Sequence, residues 1–220
     1  MTVTAIAGAS FHEYGKITEK VVIRQGHFVV EKDAEVPQLE VVNATSDVKV
    51  TANEETVIVV DSSSSSQTSI VSNSNDVFVK GVTEEIVTGT TPASLAKGVT
   101  TLNELNGIFA NGGYALLDAD LEISEKTTLG TKKIVLDLNG HIISSGDEID
   151  DNDYMFVLPE NGDLTVMGDG KILGGGRIID SYGKMTVNGG SFVTRVLGCG
   201  TAIVAETGSQ LTFNNGANYK

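Results

Sequence analysis

The sequence predicts an all-β chain: a small antiparallel β domain, then a parallel β-helix closed at one end by a short helix. Three observations carry this. A strand–corner–strand phrase recurs in the second half, as KIVLDLNGHII at Lys133–Ile143, DLTVMGDGKIL at Asp163–Leu173, KMTVNGGSFVT at Lys184–Thr194 and QLTFNNGANYK at Gln210–Lys220. Short runs of β-branched residues alternating with polar ones fill residues 21–90. A single amphipathic helix signal stands between these two regions.

Residues 1–20 read as an irregular N-terminal arm, mixed in composition and without a sustained period. In residues 21–90, Val21–Ile23 and His27–Glu31 flank Gln25-Gly26, an expected hairpin turn. Leu39–Val42, Val48–Thr51, Val57–Asp61, Ile70–Val71 and Val77–Val79 follow as half-buried antiparallel strands. Their turn signals recur at roughly 8–12 residues, the interval of a small sandwich or barrel. The serine run Ser62–Ser66 is a flexible linker or a long hairpin loop, and its place between two strand signals favours the loop. Gly89, Pro92 and Gly98 mark the boundary that opens a linker and helix region, residues 91–113.

Thr101 and Glu104 form a capping box, in which the threonine hydroxyl accepts from an early helix amide and the glutamate reaches back. Leu102, Leu105, Ile108 and Phe109 then share one face, and Asn111-Gly112-Gly113 ends the helix. Such a helix is suited to covering the first rung of a solenoid, which otherwise exposes apolar side chains and unpaired strand edges. Residues 114–220 supply about five rungs, since a unit of this length buries its apolar face only against a neighbour. The aligned corners are Gly140, Gly170, Gly190 and Gly216. Asn-Gly also marks hairpins, but hairpins need not repeat a whole phrase in register.

Composition narrows the function. The formal net charge is −14, with 13 acids to 6 bases in residues 1–94 and 16 to 9 in residues 95–220. No segment gathers Lys or Arg, so a nucleic-acid or anionic-membrane partner is not expected. Cys199 is the one cysteine, which excludes an intrachain disulfide and reads as a small buried residue. The opening MTVTAIAGASFHEYGK has neither the basic nor the apolar region of a signal peptide. No apolar run approaches the ~20 residues of a membrane helix.

The run Ala93–Ser145, with its Asn-Gly-Gly helix end, Leu116–Ser124 (LLDADLEIS) and Lys133–Ile143, resembles the opening of right-handed parallel β-helix proteins of the pectate-lyase-like superfamily. The resemblance covers residues 93–220 and implies a right-handed coil. That superfamily holds polysaccharide lyases and hydrolases, phage tailspikes and non-catalytic fibres, so the likeness does not choose a function. With the arm, the small β domain and the missing signal peptide, the chain is similar to phage head-fibre, decoration or tail-fibre proteins. The resemblance implies a virion location, a homo-oligomer, expected as a trimer, and attachment to a capsid or other virion protein through residues 1–90. A host surface glycan is a further expected partner. The stop at Lys220 directly after a rung, with no closing helix, adds the expectation that a neighbour covers that rung.

The densest chemistry is Asp147–Asp153, five carboxylates in seven positions between two strands. It reads as a solvated acidic loop, as a calcium site using Asp147, Asp150, Asp151 and Asp153, or as catalytic carboxylates in a β-helix enzyme. The EF-hand pattern fails, because Met155 stands where that loop needs glycine. Charge runs are mostly solvated faces, so no cofactor beyond a candidate Ca²⁺ is assigned and no catalytic residue is named. A lyase would also need a base such as Lys171, Arg177 or Arg195 nearby. His141 is expected to face solvent, and His12 and His27 show no ligand partners at metal-site spacing.

Overall fold

A computed structural model describes residues 2–3, 9–18, 20–147, 149–150, 153–195, 200–214 and 218–219. The chain forms two compact units, residues 1–96 and 97–220, and every strand pairing between named strands in both is parallel.

In the first unit successive strands alternate between two sheets. One holds Thr2–Val3, Val21–Ile23, Gln38–Val41, Thr56–Val60, Val77–Lys80 and the start of Ser94–Val99. The other holds Ser10–Glu13, Gly26–Val30, Val48–Ala52, Thr68–Ser72 and Val87–Gly89. Val21 opposes Leu39 and Leu39 opposes Ile58, so each strand pairs with the next but one in sequence. Residues 21–90 are therefore a parallel solenoid with a turn of about twenty residues, not an antiparallel domain. The strand positions expected from alternation are occupied; the pairing differs. Alternation reports that one face is buried and is the same whichever strand lies alongside.

Gln25-Gly26 is accordingly no hairpin turn. Gly26 adopts φ +86° and turns the chain from one sheet to the other. The serine run also bridges the two sheets, ending in a single 3₁₀ turn at Ser65–Gln67. Ser10–Glu13, within the expected arm, pairs with His27–Val30 and stacks Phe11 on Phe28, ring centroids 5.2 Å apart. Inward Val, Ile and Leu from both sheets form the core, with Val21, Val30, Leu39, Val41, Val50, Ile58, Ile70 and Val77 fully buried.

The second unit winds around three sheets. Sheet I contains Gly113–Leu117, Ile134–Asp137, Asp163–Met167, Lys184–Val187 and Gln210–Phe213. Sheet II contains Leu121–Ile123, Ile142–Ser145, Lys171–Gly174, Ser191–Thr194 and Asn218–Tyr219. Sheet III contains Thr127–Thr128, Phe156–Leu158, Arg177–Ser181 and Thr201–Ala205. Inward columns run through the rungs in register: Ala115–Leu136–Val166–Val187 on sheet I and Leu121–Ile143–Ile172–Phe192 on sheet II.

The helix spans Leu102–Asn111. Thr101 Oγ1 accepts from the Glu104 amide at 3.4 Å, and Glu104 Oε2 accepts from the Thr101 amide at 3.1 Å. Leu105, Ile108 and Phe109 are buried in the core of this unit, and the Phe109 ring meets Phe156 edge-on at 5.5 Å. At the corners, Gly140, Gly170 and Gly190 have φ of +87°, +138° and +81°. Gly216 lies outside the described residues, as does Cys199.

Polar side chains stack along the rungs as well. Asn214 Nδ2 donates to Asn188 Oδ1 at 2.7 Å, and in the first unit Asn73 Nδ2 donates to Asn53 Oδ1 at 2.9 Å. Asp163 lies between Lys133 (3.5 Å) and Lys184 (3.0 Å) on three successive rungs of sheet I. Parallel in-register stacking brings like positions together, and amide ladders or alternating charges satisfy them.

Candidate binding surface

The outer face of sheet III gathers the mixed chemistry of the second unit. Its register aligns Thr128, Val157, Asp180 and Val204 on four successive strands, pointing away from the core side chains Phe156, Leu158 and Ile179. The connection from sheet II to Phe156 delivers Asp153 and Tyr154 to the edge of this face. The Asp153 amide donates to the Asp150 carbonyl (2.8 Å), and Asp153 Oδ1 accepts from the Tyr154 amide (2.8 Å).

Lys126, one rung earlier, donates to Asp153 Oδ1 at 2.8 Å. One rung later, the Arg177 guanidinium lies 5.2 Å from the centroid of the Tyr154 ring, a cation–π contact. Asp180 is 9% exposed, and its Oδ1 is buried without a hydrogen-bond partner. Tyr182, whose amide donates to the Leu158 carbonyl, is 41% exposed. Glu206 follows on the next rung, its amide donating to the Ser181 carbonyl.

These groups are coupled electrostatically. The hydrogen bond from Lys126, then that from the Tyr154 amide, holds the Asp153 carboxyl below its ordinary range. The Asp153 hydrogen bond in turn raises the Lys126 ammonium. The charge of Asp180, then the hydrogen bond to it, pushes the Tyr182 hydroxyl up, with Glu206 contributing less. Lys126 and Asp153 thus stay ionised and Tyr182 stays protonated near neutral pH. The face presents fixed charges, a fixed donor and an open aromatic ring.

Of the acidic loop, Asp147 and Asp150 are exposed, Asp153 turns to Lys126, and Asp151 lies outside the described residues. Among the described residues, no group of three or more His, Cys, Asp or Glu side chains is placed to hold a metal. Arg177 does approach the loop's end, and its charge helps depress Asp153. Lys171 instead sits on sheet II opposite Ile142 and Ser191, and Arg195 donates to the Ser145 carbonyl and hydroxyl.

His141 pairs with Asp120 at 3.2 Å. His12 pairs with Glu31 at 2.6 Å, a cross-rung contact that sequence spacing does not reveal. His27 bridges Ser10 (3.2 Å) and Thr51 (2.9 Å), and burial, then Lys49, lowers its pKa.

Sequence reasoning missed Tyr154, Asp180, Tyr182 and Glu206 as a group. The repeat does not reveal them: counting upstream from the aligned Asp163 and Lys184 sets Leu158 opposite Ile179, two residues short of its observed partner Ser181.

Comparison with protein-family models, with curated proteins and with solved structures returned no match. Among the described residues, no helix is long and apolar enough to cross a membrane.

Proposed function

We propose that this chain is a structural virion protein, a head-fibre, capsid-decoration or tail-fibre component that works through rigidity and binding, without bond chemistry. The parallel solenoid is compatible with fibre, tailspike and adhesin roles alike. The observation that carries our choice is the unbroken register in each unit. Core columns, amide ladders and the Lys133–Asp163–Lys184 column all run along the stack, so bending a unit breaks many contacts together. In this reading residues 1–90 attach to a capsid or other virion protein. The β-helix is displayed as part of a homotrimer, and the sheet III face meets a host surface glycan.

A tailspike-like depolymerase draws on Asp153, whose charge Arg177 influences, and on Asp180 and Glu206 flanking Tyr182. Against it stands the Lys126–Asp153 pair, because a carboxylate held ionised by an ammonium at 2.8 Å is a poor proton donor to a leaving oxygen.

The test is an epitope-tagged copy in the native host, followed through density-gradient sedimentation of released particles. Co-sedimentation with particles, and a trimer mass for the purified chain by light scattering, are expected. A chain found only free of particles, or a 23.1 kDa monomer, overturns the proposal. Release of reducing or unsaturated sugar ends from polysaccharides, abolished by Asp150→Ala or Asp153→Ala, turns the assignment to the depolymerase.

A further inference from the structure

Asp180 poses the clearest chemical question in the molecule. It is a nine-tenths-buried carboxylate with one oxygen lacking any hydrogen-bond partner, a costly arrangement unless a positive group answers it. Of the two nearby cations, Lys126 bonds Asp153 at 2.8 Å and feels the charge of Asp180 only at longer range, and Arg177 lies 5.2 Å from the Tyr154 ring centroid. Glu206 adds a second carboxylate on the next rung, and Tyr182 presents a ring 41% exposed beside both. The face carries three acids, Asp153, Asp180 and Glu206, against two bases.

We propose that the Tyr182 face, flanked by Asp180 and Glu206, is a binding site for an amino sugar, with the ammonium group over the Tyr182 ring. The inference rests on the reading of sheet III as a recognition face. An ammonium is a compact point charge, attracted both to a carboxylate and to the negative face of an aromatic ring. The Tyr182 hydroxyl donates to Asp180, which shifts electron density into the ring and strengthens its pull on a cation. Contact with the buried oxygen is not required, because the charge of Asp180 acts through the ring it is hydrogen-bonded to. The same hydrogen bond fixes the ring's orientation, so little side-chain entropy remains to be lost on binding.

A hard metal ion fits less well. Calcium takes six or more oxygen ligands, whereas no three acids of the described residues converge here, and the flat ring would contribute none. An anionic sugar would meet the excess of carboxylates. A pyranose suits the remainder of the face, with its carbon-bound hydrogens against the aromatic ring and its hydroxyls toward the Lys126–Asp153 pair.

The experiment is calorimetric titration of the whole purified chain with a glucosamine trimer, its fully N-acetylated counterpart and trilysine. Binding of the glucosamine trimer alone is expected. Tyr182→Ala and Glu206→Gln should each weaken it about tenfold. Tyr182→Phe, which keeps the ring and loses the hydrogen bond to Asp180, should fall between. Tyr14→Ala, at a 72% exposed tyrosine of the other unit, should change nothing. Equal binding of the acetylated trimer removes the ammonium from the argument, and equal binding of trilysine removes the sugar. Absence of binding, or full affinity in Tyr182→Ala and Glu206→Gln, overturns the site. Particle sedimentation is independent of this ligand, so the two failures are distinguishable.

Discussion

The helix packs its apolar face onto the core of the second unit, and the Phe109–Phe156 contact is where a closing role is tested. Phe109 is 2% exposed and lies in the same core as Leu121, Leu129 and Phe156. Its carbonyl also accepts the Gly130 amide at 2.7 Å, so helix and first rung are joined by backbone as well as by packing. Truncating a buried phenylalanine to alanine costs about 3–5 kcal/mol. Divided by a urea slope of ~2 kcal/mol per molar, that lowers the unfolding midpoint of this unit by about 2 M. The edge-on pair should add a coupling of about 0.5–1.5 kcal/mol in a double-mutant cycle of Phe109→Ala and Phe156→Ala. The chain has no tryptophan, so circular dichroism is the natural probe. Amide exchange then locates the loss, which should fall first on Leu121–Ile123 and Thr127–Thr128, the terminal strands of sheets II and III, because stacked repeats fray from an uncovered end. A midpoint that moves by less than about 0.5 M, or a coupling of zero, would refute the closing role.

Three further outcomes follow from specific contacts. Gly140→Ala should cost about 1 kcal/mol, since its φ of +87° is strained for alanine but nothing lies within 4 Å of the added carbon. Gly170→Ala should cost clearly more, because that carbon would lie 2.5 Å from the His141 carbonyl oxygen; equal thermal melts for the two variants would contradict this. Asp61 accepts hydrogen bonds from the Ser64 hydroxyl, the Asn43 amide, the Ser63 hydroxyl and the Ser64 amide, which together draw its carboxyl down to about 2. A depressed folded pKa contributes stability above the unfolded value of 3.8 and loses it as pH falls toward about 2. Acid titration of Asp61→Asn should therefore show a flatter fall in that window than the parent chain, and parallel curves would count against it. Replacing residues 150–152 with a Gly-Ser link, which keeps Ile149 packed against the core, should leave the melting of the second unit within about 0.6 kcal/mol, the scale of loop-length entropy, and a larger loss would mean that these three positions also support the core.

Legibility in the sequence followed the spacing of its clues. The Lys133, Asp163, Lys184 and Gln210 phrases repeat side-chain size and corner residue together, so they gave register, and register gave the parallel stack. In residues 21–90 no phrase repeats. Val-Ile-Val alternation there located the strands, but neighbours in sequence are not neighbours in the sheet: Val48–Ala52 lies beside Gly26–Val30, with Gln38–Val41 on the opposite sheet. The helix was readable because a capping box and an i, i+3, i+6, i+7 apolar face are local. The binding face was not, because Lys126, Asp153, the Arg177–Ser181 strand that carries Asp180, and Glu206 lie on successive rungs, each roughly twenty or more residues from the next. Asp153 was singled out for the density of acids around it and Arg177 only as one of three bases a lyase would need, whereas the observed partner of Asp153 is Lys126.

Differences in rung length bear on why that face rather than another carries the chemistry. Strands of sheets I and II are joined by tight corners, Leu138–His141, Gly168–Gly170 and Asn188–Gly190, where added carbons at Gly168, Gly170 and Gly189 would strike the adjacent rung. Extra residues enter instead between sheets II and III: Ser145 to Phe156 in one rung and Thr194 to Thr201 in a later one, with the direct step Gly174 to Arg177 between them. A stack held in register accepts insertions only where they leave it, and insertions confined to one side commonly mark the binding face of a repeat protein. The short step places Arg177, Asp180 and Tyr182 on the rung between the two long connections. The corner glycines thus keep the turns between sheets I and II tight, while the long connections enter beside the sheet III face that carries Asp180.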